Sequence, residues 1–496
     1  MKMKHFLNIC GHGVKTFATV ANQQSVQRCL GQPTAYSHPF LMKTDEVTPG
    51  LTKENYRTRR HNLIELICNE KVTTPQQDKI SNKHIIVVLG NPVNYMSQDI
   101  PYQFHQNTNF SYLTGFQEPD SCLVMESMPG CEYPNHKSTL FVQKRDPVKE
   151  LWNGIRAGTD GALEHTGVDY TEEIESLGQF LTNHISEQNT IWFDFHRMTN
   201  LQLHLNHVRG FLQTAHKQGI QIRQVEAPIY EQRNIKSSEE RTLMLKSCDV
   251  ISEAISDTMA YCKPGMNEIE LNARIEFVAK KNGAQMLAFP PVVASGNRAN
   301  TLHYVDNDQI IEEGSLVLVD AGARYHGYVS DVTRTFPING KFTEVQRTLY
   351  EAVLRVQEIC IRLCTIGQSI DDIYNVMTMT LGKELYDTGV FKEKLKPTEL
   401  MQHVRELCPH HVGHWLGMDV HDTPDINRSM KFLPGMVITI EPGLYIREDN
   451  EKVDSKYRGI GIRIEDDILI TEGEPIVLSS KCPKSVEDIE RIMAKG

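Results

Sequence analysis

One pattern of an apolar strand followed by an acid occurs twice in this chain of 496 residues. Residues 314–322 (GSLVLVDAG) align with residues 435–443 (GMVITIEPG), and each copy places an acid six residues after one glycine and two before another. These acids are Asp320 and Glu441, and a second acid follows on a later segment of each copy, Asp331 and Glu465. The repeat predicts an internal duplication, in which two related halves meet at a pseudo-twofold axis and bring a carboxylate pair each to one shared site.

The first copy has the sequence of a hairpin. Asp320 ends the apolar run 316–319, and Asp331 begins the strand-like segment 331–336 after a Tyr-His-Gly break. With the turn centred on Tyr325 and His326, the two carboxylates face each other across the ladder and project from the same side. Two unpaired carboxylates so placed repel each other, and a bound cation removes the repulsion.

A histidine completes the set of candidate metal ligands. His414 lies in the His-rich segment 410–414 (HHVGH), between the two copies. Hard or borderline divalent ions prefer oxygen donors with an occasional imidazole, and carboxylates can bridge two ions. The set therefore predicts a two-metal hydrolytic centre, although HHVGH lacks the glutamate of the zincin pattern. Taken singly, such residues are usually solvated turn acids or ordinary histidines, and we predict the solvated role for Asp466 and Asp467.

Several segments resemble the aminopeptidase P family of "pita-bread" metallopeptidases, and in particular its mitochondrial members. The resemblance runs from about Gly31 to the C-terminus. Besides the two acid motifs, it rests on residues 95–102 (YMSQDIPY), 104–106 (FHQ), 112–120 (YLTGFQEPD), 150–152 (ELW), 301–304 (TLHY), 414–422 (HWLGMDVHD), 441–445 (EPGLY) and 457–465 (YRGIGIRIE).

The resemblance implies a dinuclear hydrolase that cuts the N-terminal Xaa-Pro peptide bond. Asp320 chelates one ion, Asp331 and Glu465 bridge, and His414 with Glu441 completes the other site. Two divalent ions are expected, with manganese preferred. A water between them becomes a hydroxide that attacks the carbonyl before proline. Glu441 is also expected to carry a proton to the leaving proline nitrogen.

The resemblance also implies roles for residues around the metals. His303 and His421 are expected to stabilise the oxyanion of the tetrahedral intermediate. Arg463, on the same strand face as Glu465, is expected to orient the bridging carboxylates, with a surface ion pair as the alternative. The predicted substrate-binding residues are His303, Tyr304, His410, His421, Tyr445, Arg463 and Trp152. In the family, the tryptophan matching Trp152 reaches a neighbouring subunit's active site; a buried core tryptophan is the alternative.

Two other functions compete with this prediction. Prolidase has similar metal motifs but cuts dipeptides, and the N-terminal half argues against it by resemblance. A non-catalytic pita-bread interaction module is the second alternative, because fold does not dictate function. It is less consistent with a chain that retains all five ligands together with His303 and His421. Selection for proline requires a shape-matched apolar pocket, because a bond to proline is a tertiary amide without an N–H.

Composition is that of a two-domain enzyme. The length exceeds the usual size of one core, and no apolar run approaches the roughly 20 residues of a membrane span. The net charge is −11 and no basic stripe occurs, which argues against nucleic acid as a partner. The eleven cysteines are scattered and predict reduced thiols.

We predict an α/β (α+β) fold in three parts. Residues 1–44 contain no acid and five Lys or Arg, as in a mitochondrial transit peptide with an N-terminal extension, and residues 28–30 are a candidate processing point. Residues 45–232 form a mixed-sheet α/β domain, and residues 233–496 a pita-bread domain whose six-stranded sheet, by resemblance, curves around the metals. The expected location is the mitochondrial matrix, with a cytoplasmic form left open, and the expected assembly is a homodimer.

Overall fold

The computed structural model describes residues 28–69, 83–128, 135–186, 189–193, 201–220, 222–393 and 395–495. The α-helices are α1 Lys53–Asn69, α2 Thr108–Thr114, α3 Pro147–Asn153, α4 Gly158–Thr166, α5 Leu177–Asn183, α6 Leu201–Lys217, α7 Glu226–Asn234, α8 Ser238–Tyr261, α9 Glu268–Lys281, α10 Glu344–Arg362, α11 Ile370–Asp387, α12 Pro397–Leu407 and α13 Val486–Met493. The strands are β1 Glu46–Thr48, β2 Leu51–Thr52, β3 Lys83–Leu89, β4 Cys122–Ser127, β5 His136–Val142, β6 Tyr170–Glu173, β7 Asn189–Trp192, β8 Ile222–Arg223, β9 Met286–Leu287, β10 Val292–Ser295, β11 Leu316–Ala321, β12 Ala323–Tyr325, β13 Tyr328–Val329, β14 Val332–Pro337, β15 Val437–Ile440, β16 Gly443–Ile446, β17 Ile460–Arg463, β18 Asp466–Leu469 and β19 Ile476–Val477.

The N-terminal half contains a mixed six-stranded sheet in the order β6-β5-β4-β3-β7-β8. Its central strand β3 pairs antiparallel with β4 and parallel with β7. Successive side chains of β3 point to opposite faces. Ile86 and Val88 pack in a cluster with α1, α2 and α4, whereas Ile85 and Val87 pack in one with α5 and α6. Helices therefore cover both faces, which confirms the predicted mixed-sheet α/β architecture.

Helix α8 joins the two halves. Its start is a capping box, in which Ser237 Oγ accepts the N–H of Glu240 at 3.3 Å and the Glu240 carboxylate accepts the N–H of Ser237 at 2.8 Å. Leu243 and Met244 pack with residues of the N-terminal half, whereas Ile251 and later residues of α8 pack in the core of the C-terminal half. The sequence Ser-Ser-Glu-Glu at 237–240 is typical of a capping box, and the structure has one at this position.

The first repeat folds as a hairpin whose turn lies one residue later than predicted. Tyr325 pairs with Tyr328, so the central turn residues are His326 and Gly327. Both have positive φ, 48° and 92°, as the right-handed twist of a two-residue hairpin loop requires. Asp320 therefore lies opposite Thr333 rather than opposite Asp331. Asp331 is two residues from Thr333 and keeps the same face as Asp320.

Short sheets build the C-terminal half. The orders β10-β11-β14 and β15-β18-β19 place β11 and β15, the strands of the two repeats, in antiparallel three-stranded sheets. Pro442 separates β15 from β16 because it offers no N–H to a ladder. The Glu465 N–H donates to Thr333 O at 3.1 Å and joins segments of the two repeats. The single six-stranded sheet expected here is thus divided.

Residues 28–44 pack against the N-terminal half. Arg28 forms an ion pair with Asp160 of α4 at 2.7 Å, and Leu30 and Gln32 are buried. The candidate processing point therefore lies in folded structure, whereas residues 1–27 of the predicted transit peptide lie outside the described residues. None of the helices in the described part of the chain is long and apolar enough to cross a membrane.

Candidate metal centre

A cavity of about 860 Å³ lies where the two repeats meet. Its lining includes all five predicted metal ligands, Asp320, Asp331, His414, Glu441 and Glu465, and four further predicted site residues, His303, His410, His421 and Arg463. The structure thus brings together residues that are up to 162 positions apart (465 minus 303).

Backbone geometry explains why the ligands converge. The four acids lie at strand ends: Asp320 is the second-to-last residue of β11, Asp331 comes just before β14, Glu441 just after β15 and Glu465 between β17 and β18. His414 is held against β15, because its carbonyl accepts the Thr439 N–H at 3.0 Å and its N–H donates to Thr439 Oγ1 at 3.1 Å.

Three of the ligands come close enough to contact one cation. The ligand atoms of Asp331, His414 and Glu465 all lie within 4.8 Å of one another. His414 Nε2 lies 3.4 Å from Asp331 Oδ2 and 3.7 Å from Glu441 Oε1. An imidazole among carboxylate oxygens is a donor set for a borderline or hard divalent ion.

The electrostatics of these residues favour a bound cation. Burial, together with the charge of Asp320, raises the pKa of Asp331 to about 7. Burial and the neighbouring charges of Asp331 and Glu441 also raise the pKa of Glu465. Burial lowers the pKa of His414, but the hydrogen bond with Asp331 and the charge of Glu441 outweigh it and raise the pKa to about 9. Positive charge at the centre would relieve this mutual repulsion of the acids.

Asp320 gives the most direct test of whether the residues fit a metal. Its Oδ2 accepts a hydrogen bond from Arg463 Nη2 at 2.6 Å, whereas its Oδ1 is buried and has no hydrogen-bond partner in the described part of the chain. A buried carboxylate oxygen without a partner is costly. Coordination by a divalent ion would satisfy this oxygen, so the residues present fit the predicted metal centre.

Arg463 connects Asp320 and Glu465 through hydrogen bonds. Besides Asp320, its guanidinium donates to Tyr445 Oη at 2.8 Å and to Thr333 Oγ1 at 3.0 Å. Thr333 Oγ1 in turn donates to Glu465 Oε2 at 2.6 Å. Arg463 is only 4% exposed, so the alternative of a surface ion pair is wrong.

The remaining predicted residues separate into two groups. His410 Nε2 and Tyr445 Oη are hydrogen-bonded at 2.9 Å beside the cavity, and the His421 ring lies edge-on to His414 with centroids 4.5 Å apart. Tyr304 does not line the cavity, because its hydroxyl donates to buried Glu268 at 2.8 Å. Trp152 on α3 is 81% exposed, so the buried core alternative for this residue is wrong.

Sequence reasoning missed several residues at the site. Asp371, His411 and Arg428 also line the cavity, and His411 Nε2 lies 3.3 Å from Asp371 Oδ1. Of these, only His411 had a signal in the sequence, as a member of the HHVGH segment.

The solvated role predicted for Asp466 and Asp467 is wrong. Both side chains are fully buried. Asp466 is held by Arg334 at 2.7 Å and Lys484 at 2.6 Å, and Asp467 accepts the N–H of Asp331 at 3.1 Å. The periodicity of β18 could not show this, because buried partners from distant segments neutralise Asp466.

Four clustered carboxylates and an imidazole, flanked by further imidazoles and a guanidinium, define the site of a metal-dependent hydrolase. Comparison with known proteins agrees with this class. Residues 242–472 match the profile of metallopeptidase family M24, and residues 56–192 match the aminopeptidase P N-terminal domain.

Similarity to individual proteins extends over nearly the whole chain. Xaa-Pro aminopeptidase 3 of Homo sapiens is 46% identical over 488 residues, which cover 98% of this chain and 95% of that protein. The mitochondrial intermediate cleaving peptidase 55 of Arabidopsis thaliana is 35% identical over 481 residues, covering 97% and 91%. The solved structure of zinc-substituted Escherichia coli aminopeptidase P in complex with product has a TM-score of 0.79 and 33% identity, covering 90% of this chain and 98% of that one.

The chain therefore belongs to metallopeptidase family M24, in its aminopeptidase P branch. The fold and family predicted from the sequence motifs are confirmed, and so is the predicted class of enzyme, a metal-dependent Xaa-Pro aminopeptidase. Neither the prolidase nor the interaction-module alternative is favoured.

Proposed function

We propose that this chain removes the first residue from peptides and proteins that carry proline in the second position. The family relationship supports this activity. The structural observation that carries the proposal is the convergence of four acids and His414 on one cavity, where the buried Asp320 Oδ1 has no hydrogen-bond partner among the residues that the structure describes.

The proposed cofactors are two divalent ions, with manganese as the preferred metal. Asp320 would chelate one ion, His414 and Glu441 would hold the other, and Asp331 and Glu465 would bridge them. When bound, the ions would supply a water acidified to near-neutral pKa as the nucleophile and would polarise the substrate carbonyl. The single imidazole among oxygen donors supports manganese without excluding zinc, cobalt or iron.

The chain's own residues would orient the substrate and move the proton. His303 and His421 would donate hydrogen bonds to the carbonyl oxygen as negative charge develops on it. Glu441 would take a proton from the nucleophile and pass it to the leaving proline nitrogen. Arg463 would act through Asp320 and Thr333, keeping the carboxylates in position while the charge around them changes.

The pocket for proline is proposed to lie at His410 and Tyr445. Their rings meet edge to face with centroids 5.4 Å apart, and the hydrogen bond between them fixes both. Such a rigid wall can select the pyrrolidine ring by shape, whereas peptidases that depend on the N–H of the second residue cannot bind proline. We also propose a homodimer, in which the exposed Trp152 reaches the partner's site.

A mitochondrial role is proposed from two observations. The acid-free N-terminal segment has the composition of a transit peptide, and relatives of the chain include an intermediate cleaving peptidase 55 named as mitochondrial. We propose the matrix as the location and trimming of imported proteins as one use of the activity.

Hydrolysis of a matched peptide pair tests the proposed activity. The peptides differ only in proline or alanine at the second position, and metal-stripped protein is titrated with manganese. We expect metal-dependent release of the first residue from the proline peptide alone. Cleavage restricted to Xaa-Pro dipeptides would replace the proposal with prolidase, and metal binding without cleavage of either peptide would favour the interaction module.

A further inference from the structure

A second cavity, of about 500 Å³, lies between the two halves of the chain. The N-terminal half contributes the segment around β1 and β2 together with residues 103–106, and the C-terminal half contributes β9, the β12–β13 hairpin and Met418. None of its lining residues lines the metal-centre cavity. It is therefore a separate space, and its volume falls in the range of small-molecule sites.

Arg324 gives this cavity a positive charge that has no ion-pair partner among the described residues. Its Nη1 donates to the carbonyl of Gly327 at 3.3 Å, but its Nε is buried and none of the described residues accepts a hydrogen bond from it. Among the described residues, no carboxylate lies within the 4.0 Å of an ion pair with Arg324; the nearby Asp419 and Asp422 pair with Arg233 instead. Burial lowers the pKa of Arg324, and the charges of the nearby Asp419 and Asp422 offset this shift only in part.

The rest of the lining adds no opposite charge. In a chain of net charge −11, the described residues that line the cavity include no aspartate or glutamate, and Arg324 is the single Lys or Arg among them. Burial lowers the pKa of His326 to about 4, and burial followed by the charge of Arg324 lowers the pKa of His105. These shifts favour the neutral form of His105 and His326, which as neutral rings donate or accept hydrogen bonds without adding charge.

Much of the remaining wall is apolar. Val47, Leu51, Tyr56, Met286 and Met418 are among its residues. Arg324 is half-buried, so pairing its charge would offset part of the cost of removing it from water, and a guanidinium pairs best with a planar carboxylate through two parallel hydrogen bonds. One positive charge matches a monoanion; a phosphate dianion would leave a negative charge buried against this apolar wall.

We propose that this cavity binds a monocarboxylate with an apolar body, with its carboxylate on Arg324 and its body against the apolar wall. The site is distinct from the metal centre, and its occupant is a ligand rather than the substrate peptide. The proposal does not depend on the aminopeptidase activity, because its test measures binding and not cleavage.

Calorimetric titration of the manganese-loaded protein with decanoate, below its micelle concentration, tests the proposal. Two further probes separate the contribution of the carboxylate from that of the apolar body. 1-Decanol has the apolar body without the charge, and acetate has the charge without the body. Two variants change the site, Arg324→Met by removing the cation and Met286→Trp by filling the cavity. The matched control is Arg447→Met, which removes an exposed arginine that pairs with Asp449.

We expect decanoate to bind wild type and Arg447→Met equally, and to bind Arg324→Met and Met286→Trp at least about tenfold more weakly. 1-Decanol should bind wild type at least about tenfold more weakly than decanoate. Equal binding by Arg324→Met and wild type, or equal binding of decanol and decanoate, would overturn the proposal. So would decanoate binding that acetate displaces and neither site variant weakens, because that pattern assigns the carboxylate to the metals. If Arg324→Met fails to fold, Met286→Trp and the decanol comparison still decide.

Discussion

The buried carboxylate of Asp467 accepts a hydrogen bond from the backbone N–H of Asp331 at 3.1 Å, and the same oxygen lies 3.1 Å from the thiol of Cys248. Asp331 is the proposed bridging ligand, so Asp467 fixes its backbone from behind the metal centre. Residues that orient ligands in this way commonly change metal affinity when they are replaced.

Replacing Asp467 with alanine should therefore weaken the metal centre. The Asp331 N–H would lose its acceptor in a buried position, which costs about 1–3 kcal/mol. We expect a lower melting temperature and a higher manganese concentration for half-maximal activity. Asp467→Asn, which keeps a side-chain oxygen for this N–H, should lose less on both measures. Wild-type manganese dependence in the alanine variant would show that this contact does not position Asp331.

Arg463→Lys should reduce activity although the positive charge is kept. A lysine ammonium cannot reach Asp320, Tyr445 and Thr333 at once, as the planar guanidinium does. We expect kcat/KM for an Xaa-Pro peptide to fall about 10- to 100-fold, the usual range for residues that orient metal ligands. Arg458→Lys on the preceding segment is the matched control, because the side-chain hydrogen bond of Arg458 goes from its Nε to the carbonyl of Val453 and not to a residue of the candidate metal centre. Equal losses in the two variants would contradict an orienting role for Arg463.

The success of the sequence prediction differs among elements for physical reasons. Local rules sufficed for α8, where Ser237 and Glu240 satisfy each other's backbone groups within one turn. They failed by one residue at the β12–β13 turn, because the conformation of His326 depends on the twist of the paired strands. They failed completely for Asp466, whose partners Arg334 and Lys484 are 132 and 18 residues away in the chain.

The candidate site likewise contains residues that the sequence could predict and residues that it could not. Repeated acids at strand ends indicated which residues meet, because a duplicated fold brings equivalent positions together. Asp371 and Arg428 carry no such signal, and only the path of the chain places them on the cavity. For Tyr304, the family resemblance implied a substrate contact, whereas its hydroxyl donates to Glu268.

Tyr304→Phe tests this different role. Glu268 is fully buried and also accepts hydrogen bonds from Ser295 and Arg298, so it holds the segment that leads to His303. Loss of the Tyr304 hydroxyl should lower the free energy of unfolding by about 0.5–1.5 kcal/mol and reduce kcat through His303, with manganese dependence unchanged. Tyr386→Phe, at an exposed position of α11, is the control. A large rise in KM without loss of stability would return Tyr304 to substrate binding.

Stability should depend on pH through a cluster in the N-terminal half. Glu126 Oε1 accepts hydrogen bonds from Lys83 at 2.5 Å and from His184 at 2.9 Å. Burial opposes ionisation of Glu126, but these partners outweigh it and lower its pKa to about 2. The hydrogen bond with Glu126 raises the pKa of His184.

The two shifts act at opposite ends of the pH range. A lowered carboxyl pKa gives stability that is present above the unfolded value of 4.5 and is lost as pH falls toward 2. A raised imidazole pKa gives stability that is present below the unfolded value of 6.5 and is lost as pH rises through the folded value. The difference in melting temperature between wild type and Glu126→Gln should therefore be largest between about pH 4.5 and 6.5. A difference independent of pH from 3 to 8 would contradict this assignment.

Trp152 provides a test of the proposed homodimer that does not rely on a loss of activity. Helix α3 exposes Val148, Leu151 and Trp152 by 70%, 82% and 81%, an apolar patch typical of an interaction surface. Trp152→Ala should leave the melting temperature of the subunit nearly unchanged but reduce activity, because each site would lose the partner's indole. Asp331→Ala should be inactive for the opposite reason, since it keeps Trp152 but loses a metal ligand.

In a mixed dimer, the intact metal centre of the Trp152→Ala subunit would receive Trp152 from the Asp331→Ala subunit, so mixing the two variants should restore activity. The same mixture with Asp331→Ala,Trp152→Ala in place of the single Asp331 variant is the control and should restore none. Equal activity in both mixtures would exclude a role for Trp152 across the subunit interface.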